Sequence, residues 1–182
     1  KANSNNYEVD LVTINAKDFG VPQARERMFF VGIKKGKPFS LMNYLRHYYQ
    51  PEISTKKALA HLGKQGTSKN PKTCNAFISL AKRPILRRSP YAGMLFNGAG
   101  RPINPSCPAP TLPASMGGNR TPIIDENHFY GNGQAWVEDY HLHLIDGGDP
   151  YEAEFAPQYL RRLTLNEAKI LHSFPKKFIF KG

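Results

Sequence analysis

Residues 20–33 read GVPQARERMFFVGI, a loop-like start that runs into an apolar segment. Residues 28–31 within it are all apolar, which predicts a strand that is buried on both faces. Upstream, apolar and polar residues alternate over residues 7–11, as in a half-buried strand. The link over residues 15–26 contains a glycine and a proline and is too irregular for a helix. The chain therefore opens with two neighbouring strands around a short loop.

Gln23, Arg25 and Arg27 alternate along this loop, which predicts that the three side chains project to one side. One amide and two guanidinium groups in a row can neutralise a phosphate or carboxylate and donate to a carbonyl oxygen. A solvated polar edge would show the same spacing. The position of the arginines at the mouth of an apolar strand favours a functional loop.

The charge of the whole chain points to a polyanionic partner. Lys and Arg number 25 against 14 Asp and Glu, a formal net charge of +11, so nucleic acid is the leading candidate. Two cysteines are too few for a disulfide framework or a four-cysteine zinc site, and they fit a reducing, cytoplasmic compartment. No apolar run is long enough to span a membrane, so no membrane partner is expected. The first residues lack a signal peptide and resemble the interior of a longer protein.

The middle of the chain predicts short elements separated by long loops. Three short helices are expected within residues 40–83, with Ser40 capping the first, Thr55 capping the second and Cys74 buried in the third. Residues 84–148 are rich in Gly, Pro, Asn and Arg and predict loops with short strands.

Residues 161–175, RRLTLNEAKILHSFP, give the clearest local signal. Thr164 and Glu167 form a capping box, which predicts a helix over about residues 165–173. The buried stripe of this helix is expected to consist of Leu165, Ala168 and Leu171.

Metal and nucleophile sites are weakly signalled. His141 and His143 are two residues apart in a predicted half-exposed strand, and with Asp146 or Asp149 they could begin a metal-ligand set. No further ligand stands at a defined spacing, so no metal is expected. Cys107 has no histidine at the spacing of a nucleophile and its base, which favours an ordinary loop thiol.

Residues 109–125, APTLPASMGGNRTPIID, form a glycine-rich loop. Paired glycines let a ligand approach the backbone, and an amide followed by a guanidinium can read base edges in a duplex groove. A plain connecting loop would have a similar composition. In contrast, the Gly-Ala-Gly at residues 98–100 lacks the strand and helix of a nucleotide site. The candidate DNA-binding residues are Thr111, Ser115, Gly117, Gly118, Asn119 and Arg120.

Together, in this order, these segments resemble the C-terminal part of DNA (cytosine-5) methyltransferases. The eighth motif of that family, G-[IV]-P-Q-x-R-x-R before a buried strand, is matched by residues 20–33. The ninth, an R-x-L-T-x-x-E helix ending in F-P, is matched by residues 161–175, and a T-L dipeptide with a glycine-rich loop occurs at residues 111–118. The resemblance implies an α/β, mixed α+β fold: the edge of a Rossmann-like methyltransferase sheet plus a loop-rich target-recognition domain.

The resemblance also implies a division of the chain. Residues 1–37 would be catalytic-domain strands, residues 38–157 the target-recognition domain, and residues 158–182 a helix that returns to the catalytic domain. The implied reaction transfers a methyl group from S-adenosyl-L-methionine to C5 of cytosine in a specific sequence of double-stranded DNA.

Individual roles follow from the same resemblance. Arg27 would donate to the O2 carbonyl of a flipped-out cytosine, where a fixed cation stabilises the charge that develops when C6 is attacked. Arg25 would help to hold the catalytic pocket and a nearby phosphate, and Gln23 would orient the loop. Thr111 would contact the phosphate beside the flipped nucleotide, while residues 115–120 would lie in the major groove.

Several family motifs are missing from the sequence. The Pro-Cys nucleophile is absent, because Cys74 follows threonine and Cys107 follows serine, and the Glu-Asn-Val and glycine-rich cofactor motifs are absent too. The chain alone is therefore expected to be inactive, with S-adenosyl-L-methionine bound mainly by other parts of the enzyme. Its partner would be the remainder of the catalytic domain or a complementary subunit of a bacterial methyltransferase, either solitary or in a restriction-modification system.

Other interpretations remain open from the sequence. The chain could be a non-catalytic, sequence-specific DNA-binding module or specificity subunit, or it could act on RNA. A small metal-dependent enzyme built on His141 and His143 is a third possibility.

Overall fold

The fold is mixed α/β, as predicted, and it is built from short elements. A computed structural model describes residues 6–36, 39–71, 74–131 and 133–180. The strands are β1 (Tyr7–Asn15), β2 (Gln23–Ala24), β3 (Glu26–Lys34), β4 (Leu80–Ile85), β5 (Met94–Phe96), β6 (Ala109–Pro110), β7 (Ile123–Asp125) and β8 (Leu160–Arg162). The α-helices are α1 (Leu41–Leu45), α2 (Thr55–Leu59), α3 (Glu126–Tyr130), α4 (Trp136–Ile145) and α5 (Leu165–Leu171).

Each strand pairs with one other strand. The β1–β3, β4–β5 and β7–β8 pairs are antiparallel, and the two-residue pair β2–β6 is parallel. Two apolar clusters hold these elements together. One joins α4 to β4 and β5 and includes Tyr140, Leu80 and Leu95, and the other joins α2 and α3 to α5.

The predicted strands at the start of the chain are confirmed, but their predicted burial is wrong. β1 and β3 pair in continuous register from Tyr7 opposite Lys34 to Asn15 opposite Glu26. Met28 is 59% exposed and Phe30 is 70% exposed. A two-stranded ribbon has two faces to cover. On one of them Val12 is buried and α1 contacts β1, whereas the described residues leave most of the other face open. We call the exposed large side chains of β1 and β3 the apolar ribbon; they are Tyr7, Val9, Leu11, Met28, Phe29 and Phe30.

The first two predicted helices exist, although the cap of the second was misassigned. Ser40 caps α1, where its hydroxyl accepts a hydrogen bond from the Asn43 backbone. Ser54, not Thr55, caps α2. Thr55 is buried inside the helix and its hydroxyl donates to the Cys107 carbonyl at 2.8 Å.

The third predicted helix is wrong. Residues 74–79 have no regular secondary structure, and β4 follows them. The buried residues Ile78 and Leu80 follow the two-residue period of a strand rather than the helical period that Phe77 and Ile78 suggested. Cys74 is only half-buried and lies outside both apolar clusters. Residues 72–73, at the predicted start of this helix, lie outside the described part.

The predicted strand around His141 and His143 is also wrong, because these residues lie on α4. The helix buries residues at helical spacing, among them Val137, Tyr140 and Leu144. Two residues along a helix are about 200° apart, so the two imidazoles face different ways and each contacts a separate backbone carbonyl. Within the described ranges no group of three potential ligands could hold a metal ion. None of the helices described is long and apolar enough to cross a membrane.

The capping box of α5 is confirmed. The Thr164 hydroxyl accepts from the Glu167 backbone at 3.1 Å, and the Glu167 carboxylate accepts from the Thr164 backbone at 2.9 Å. The buried face runs through Glu167, Ala168 and Leu171. Leu165 is 44% exposed and does not belong to it, because it lies about 200° around the helix from Glu167.

Candidate nucleic-acid interface

Asn15 joins the two ends of the loop between β1 and β3 by hydrogen bonds. The Asn15 Oδ1 accepts from the backbone N–H groups of Lys17 and Arg25, at 3.3 and 3.0 Å. The Ala16 backbone donates to the Arg25 carbonyl at 2.9 Å. Because two of these three bonds involve the Arg25 backbone, they hold the start of β3 in a defined place.

Gln23, Arg25 and Arg27 do not share one surface, contrary to the alternation argument. Gln23 is 1% exposed and its Nε2 donates to the Leu171 carbonyl of α5 at 3.5 Å. Arg25 is half-buried, and Arg27 is exposed, with Nη1 donating to the Glu26 carbonyl at 2.6 Å. The reason is a change of pairing partner at Arg25: Gln23 pairs with β6, whereas Arg27 pairs with β1.

The T-L segment lies directly against this loop. β6 runs parallel to β2, and the Ala109 backbone donates to the Pro22 carbonyl at 3.0 Å. One residue beyond β6, the Thr111 hydroxyl donates to the Ala24 carbonyl at 2.9 Å. Two segments that the sequence identified separately are therefore in contact, next to Arg25.

The Arg25 guanidinium contributes to a pKa shift of His172, the residue that follows α5. The pKa of His172 is lowered from its ordinary value, first by burial and then by the nearby Arg25 guanidinium. Gln23, through its bond to the Leu171 carbonyl, connects the loop to α5.

The glycine-rich turn, residues 117–121, is open to solvent along its first four residues. Gly118–Arg120 form one turn of 3-10 helix, in which the Arg120 backbone donates to the Gly117 carbonyl at 2.9 Å. Ser115 is exposed just upstream. The predicted groove-binding side chains of Asn119 and Arg120 therefore have free access to a ligand.

The glycines at positions 98 and 100 support this turn, a role that the sequence analysis missed. The Gly100 backbone donates to the Asn119 carbonyl at 2.9 Å. A Cβ at Gly100 would lie 2.1 Å from the Thr121 carbonyl oxygen, and one at Gly98 would lie 2.5 Å from the Asn119 carbonyl oxygen. The G-x-G pattern was a usable signal for close backbone approach.

A buried polar network holds α5 in place, and sequence spacing identified only its capping box. Arg161 donates from Nη1 and Nη2 to the two Glu167 oxygens at 2.8 and 2.7 Å, and from Nε to Glu126 at 2.7 Å. Burial lowers the pKa of Arg161, but its pairing with Glu167 and Glu126 outweighs this effect and raises the pKa overall. Asn70 donates to Glu167 at 3.0 Å and accepts from the Thr164 hydroxyl at 2.6 Å.

Charge is strongly segregated along the chain. Residues 121–160 contain eight of the 14 acidic residues and none of the 25 lysines and arginines. The glycine-rich turn ends where this acidic segment begins, and the cationic residues all lie outside it. A polyanion is therefore attracted to the surfaces built by the rest of the chain.

Comparison with known proteins identifies the family. The family model for C-5 cytosine-specific DNA methylase matches residues 1–182. The Type II methyltransferase M.DdeI of Desulfomicrobium norvegicum is 47% identical over 34 residues, which make up 19% of this chain and 8% of that protein. The matched segment thus spans a small part of this relative. The chain belongs to the C-5 cytosine-specific DNA methylase family.

Proposed function

We propose that this chain carries the target-recognition element and part of the active site of a DNA (cytosine-5) methyltransferase. With the remainder of the catalytic domain it would methylate C5 of cytosine in a specific duplex sequence. The observation that supports this most is the hydrogen bond from Thr111 to the Ala24 carbonyl. It joins the Q-x-R-x-R loop to the T-L segment, so the residue proposed to contact the flanking phosphate lies beside the loop proposed to act on the flipped cytosine.

Arg27 is the group that we assign to the reacting base. Attack at C6 pushes electron density into the ring, and a guanidinium donating to O2 stabilises that charge. Arg27 is exposed, and among the described contacts its only hydrogen bond goes to the Glu26 carbonyl, so its remaining donors are available. Gln23 orients the loop by its bond to Leu171, and Arg25 supplies a second cation nearby.

Thr111 and the glycine-rich turn are assigned to the DNA itself. The exposed Thr111 hydroxyl can exchange its bond with Ala24 for one with a phosphate oxygen. The exposed turn, with Ser115 before it, presents Asn119 and Arg120 to base edges in the major groove. The relative's designation as a type II methyltransferase supports a place in a restriction-modification system.

We propose that S-adenosyl-L-methionine is bound mainly by parts of the enzyme outside this chain. The Gly-Ala-Gly of residues 98–100 could have served a nucleotide cofactor, but it packs against the turn, with Cβ positions blocked by backbone oxygens. We therefore assign the cofactor and the nucleophile to the remainder of the catalytic domain. The open apolar ribbon is the surface that we propose this remainder covers.

The test begins with methyl transfer. Purified chain, mixed with radiolabelled S-adenosyl-L-methionine and duplex DNA, is expected to transfer no methyl group, because it lacks the nucleophile. Addition of a polypeptide with the remaining catalytic domain is expected to restore transfer. Robust turnover by the chain alone would contradict the proposal.

A matched pair of variants locates the contact with that polypeptide. Phe30→Asp places a charge on the apolar ribbon and is expected to abolish the restored activity. Phe155→Asp alters a side chain of similar exposure, 67%, away from the ribbon and is expected to leave it unchanged. Equal effects of the two variants would count against docking through the ribbon.

Salt should control binding of the chain to DNA. We expect weak binding of the isolated chain to duplex DNA, with log K falling linearly with log salt at about −0.9 per neutralised phosphate, because counterion release supplies most of the affinity. Fluorescence anisotropy across a salt series measures the slope. Affinity that does not change with salt would contradict a phosphate-tracking surface.

A further inference from the structure

Arg162 is a buried cation for which the described residues supply no carboxylate partner. It lies in β8 and is 2% exposed, yet within the described parts of the chain it forms no ion pair. Its Nε has no hydrogen-bond partner there, and burial lowers its pKa. Its neighbour Arg161, in contrast, is paired with two glutamates. Burying a guanidinium without a counter-charge lowers the stability of the fold. The two hydrogen bonds that Arg162 does form are therefore expected to serve another purpose.

Those contacts hold two separate backbone segments. Nη1 donates to the Thr121 carbonyl at 2.8 Å, and Nη2 donates to the Phe77 carbonyl at 3.3 Å. Thr121 is the last residue of the glycine-rich turn, and Phe77 lies in the segment that leads into β4. One planar group therefore ties the end of the turn to β8 and to the approach to β4.

Gly100 packs closely against the hydrogen bond between Arg162 and the Thr121 carbonyl. A Cβ at this glycine would lie 2.6 Å from Arg162 Nη1 as well as 2.1 Å from the Thr121 carbonyl oxygen. The turn is thus held at two nearby carbonyls, that of Asn119 by the Gly100 backbone and that of Thr121 by Arg162. In the described structure no side chain of residues 117–120 forms a hydrogen bond that would hold the turn from outside.

We propose that Arg162 is a positioning residue that sets the place of the glycine-rich turn and thereby determines sequence discrimination. This inference rests on the proposed function, in which the turn reads DNA. The turn is exposed and rich in glycine, so its backbone has few restraints of its own. Losing the bond to Thr121 releases the turn at its end, and base contacts require fixed donor and acceptor positions.

The experiment uses the complete methyltransferase that contains this chain. Plasmid DNA is methylated to partial completion, and bisulfite sequencing gives the preference for the parent's sequence context over contexts with one altered base pair. We expect Arg162→Met to lower this preference about tenfold or more, the order expected for losing a well-placed base contact. The thermal unfolding midpoint should stay equal or rise, because a buried unpaired charge has been removed.

Two further substitutions serve as internal controls. Arg162→Lys keeps the charge but can reach only one of the two carbonyls, so we expect partial loss of preference. Arg83→Met removes one charge from an exposed position in β4 and is expected to keep the full preference. A purely structural role for Arg162 would instead lower the unfolding midpoint and leave the preference of the folded enzyme unchanged.

The outcomes separate this proposal from the one on which it rests. Full preference in both Arg162 variants, while Arg120→Ala loses it, overturns the positioning role alone. Full preference in all three variants also overturns the reading role of the turn. If Arg162→Met does not fold, Arg162→Lys decides: reduced preference supports the positioning role, and full preference overturns it.

Discussion

Replacing Arg27 with alanine is expected to slow methyl transfer by the complete enzyme by about 10²–10³-fold under single-turnover conditions. The substitution removes a donor aimed at the cytosine O2, where negative charge develops after attack at C6. DNA affinity should change little, because Arg27 is one cation among 25. A rapid-quench measurement at saturating DNA gives the rate, and a filter-binding measurement gives the affinity.

Arg120→Ala is the matched control, since it also removes one exposed arginine. If Arg120 reads a base edge, this variant should lose about 1–3 kcal/mol of affinity or discrimination. Its single-turnover rate at saturating DNA should stay close to that of the parent. An Arg27→Ala enzyme that methylates at the parent rate would show that the assigned role is wrong.

Replacing Glu167 with alanine is expected to destabilise the fold by about 3–5 kcal/mol, because the buried Arg161 would lose its main counter-charge. Glu167 is fully buried and receives hydrogen bonds from Arg161, Asn70 and the Thr164 backbone. Urea denaturation followed by tryptophan fluorescence measures the change. A loss this large is a substantial part of the stability of an ordinary domain.

Two comparisons show whether the network causes this loss. Glu167→Gln keeps the shape and some hydrogen bonds but not the charge, so its loss of stability should be smaller than that of alanine. Glu154→Ala removes an exposed carboxylate and should change stability by less than about 0.5 kcal/mol. Equal stability of Glu167→Ala and the parent would contradict the importance of the network.

Sequence reasoning succeeded where the signal is local. The capping box of α5 lies within four residues, and both of its hydrogen bonds are present. The apolar run of residues 28–31 predicted β3 correctly. The burial of β3 could not be inferred, because an apolar strand indicates that its faces need packing partners but does not identify the segments that supply them. Likewise, the spacing around Cys74 fitted a helix, whereas packing of Ile78 and Leu80 favoured an extended chain.

For the candidate site, too, local sequence signals were informative and long-range contacts were not. The motif residues were found from their order along the chain, and the family is confirmed. Their separation into a buried Gln23 and an exposed Arg27 depends on β6, which lies more than 80 residues downstream. Asn70 and Glu167 are 97 residues apart, and Arg162 and Thr121 are 41 apart, so no short pattern could pair them. Only the Gly-Ala-Gly of residues 98–100 offered a local hint, through the close approach that glycine permits.

The contacts of Gln23 have a consequence for the order in which the protein folds. Gln23 pairs with Ala109 of β6. Its side-chain amide donates to the carbonyl of Leu171, which lies 148 residues after Gln23 in the sequence. Contacts of such sequence separation form late, because a long loop must close first. During synthesis β1 and β3 can pair early, but Gln23 in the loop between them cannot bond to α5 until that helix has left the ribosome. Gln23, which we propose orients the catalytic loop, is therefore set in place only after the segment proposed to recognise DNA is complete.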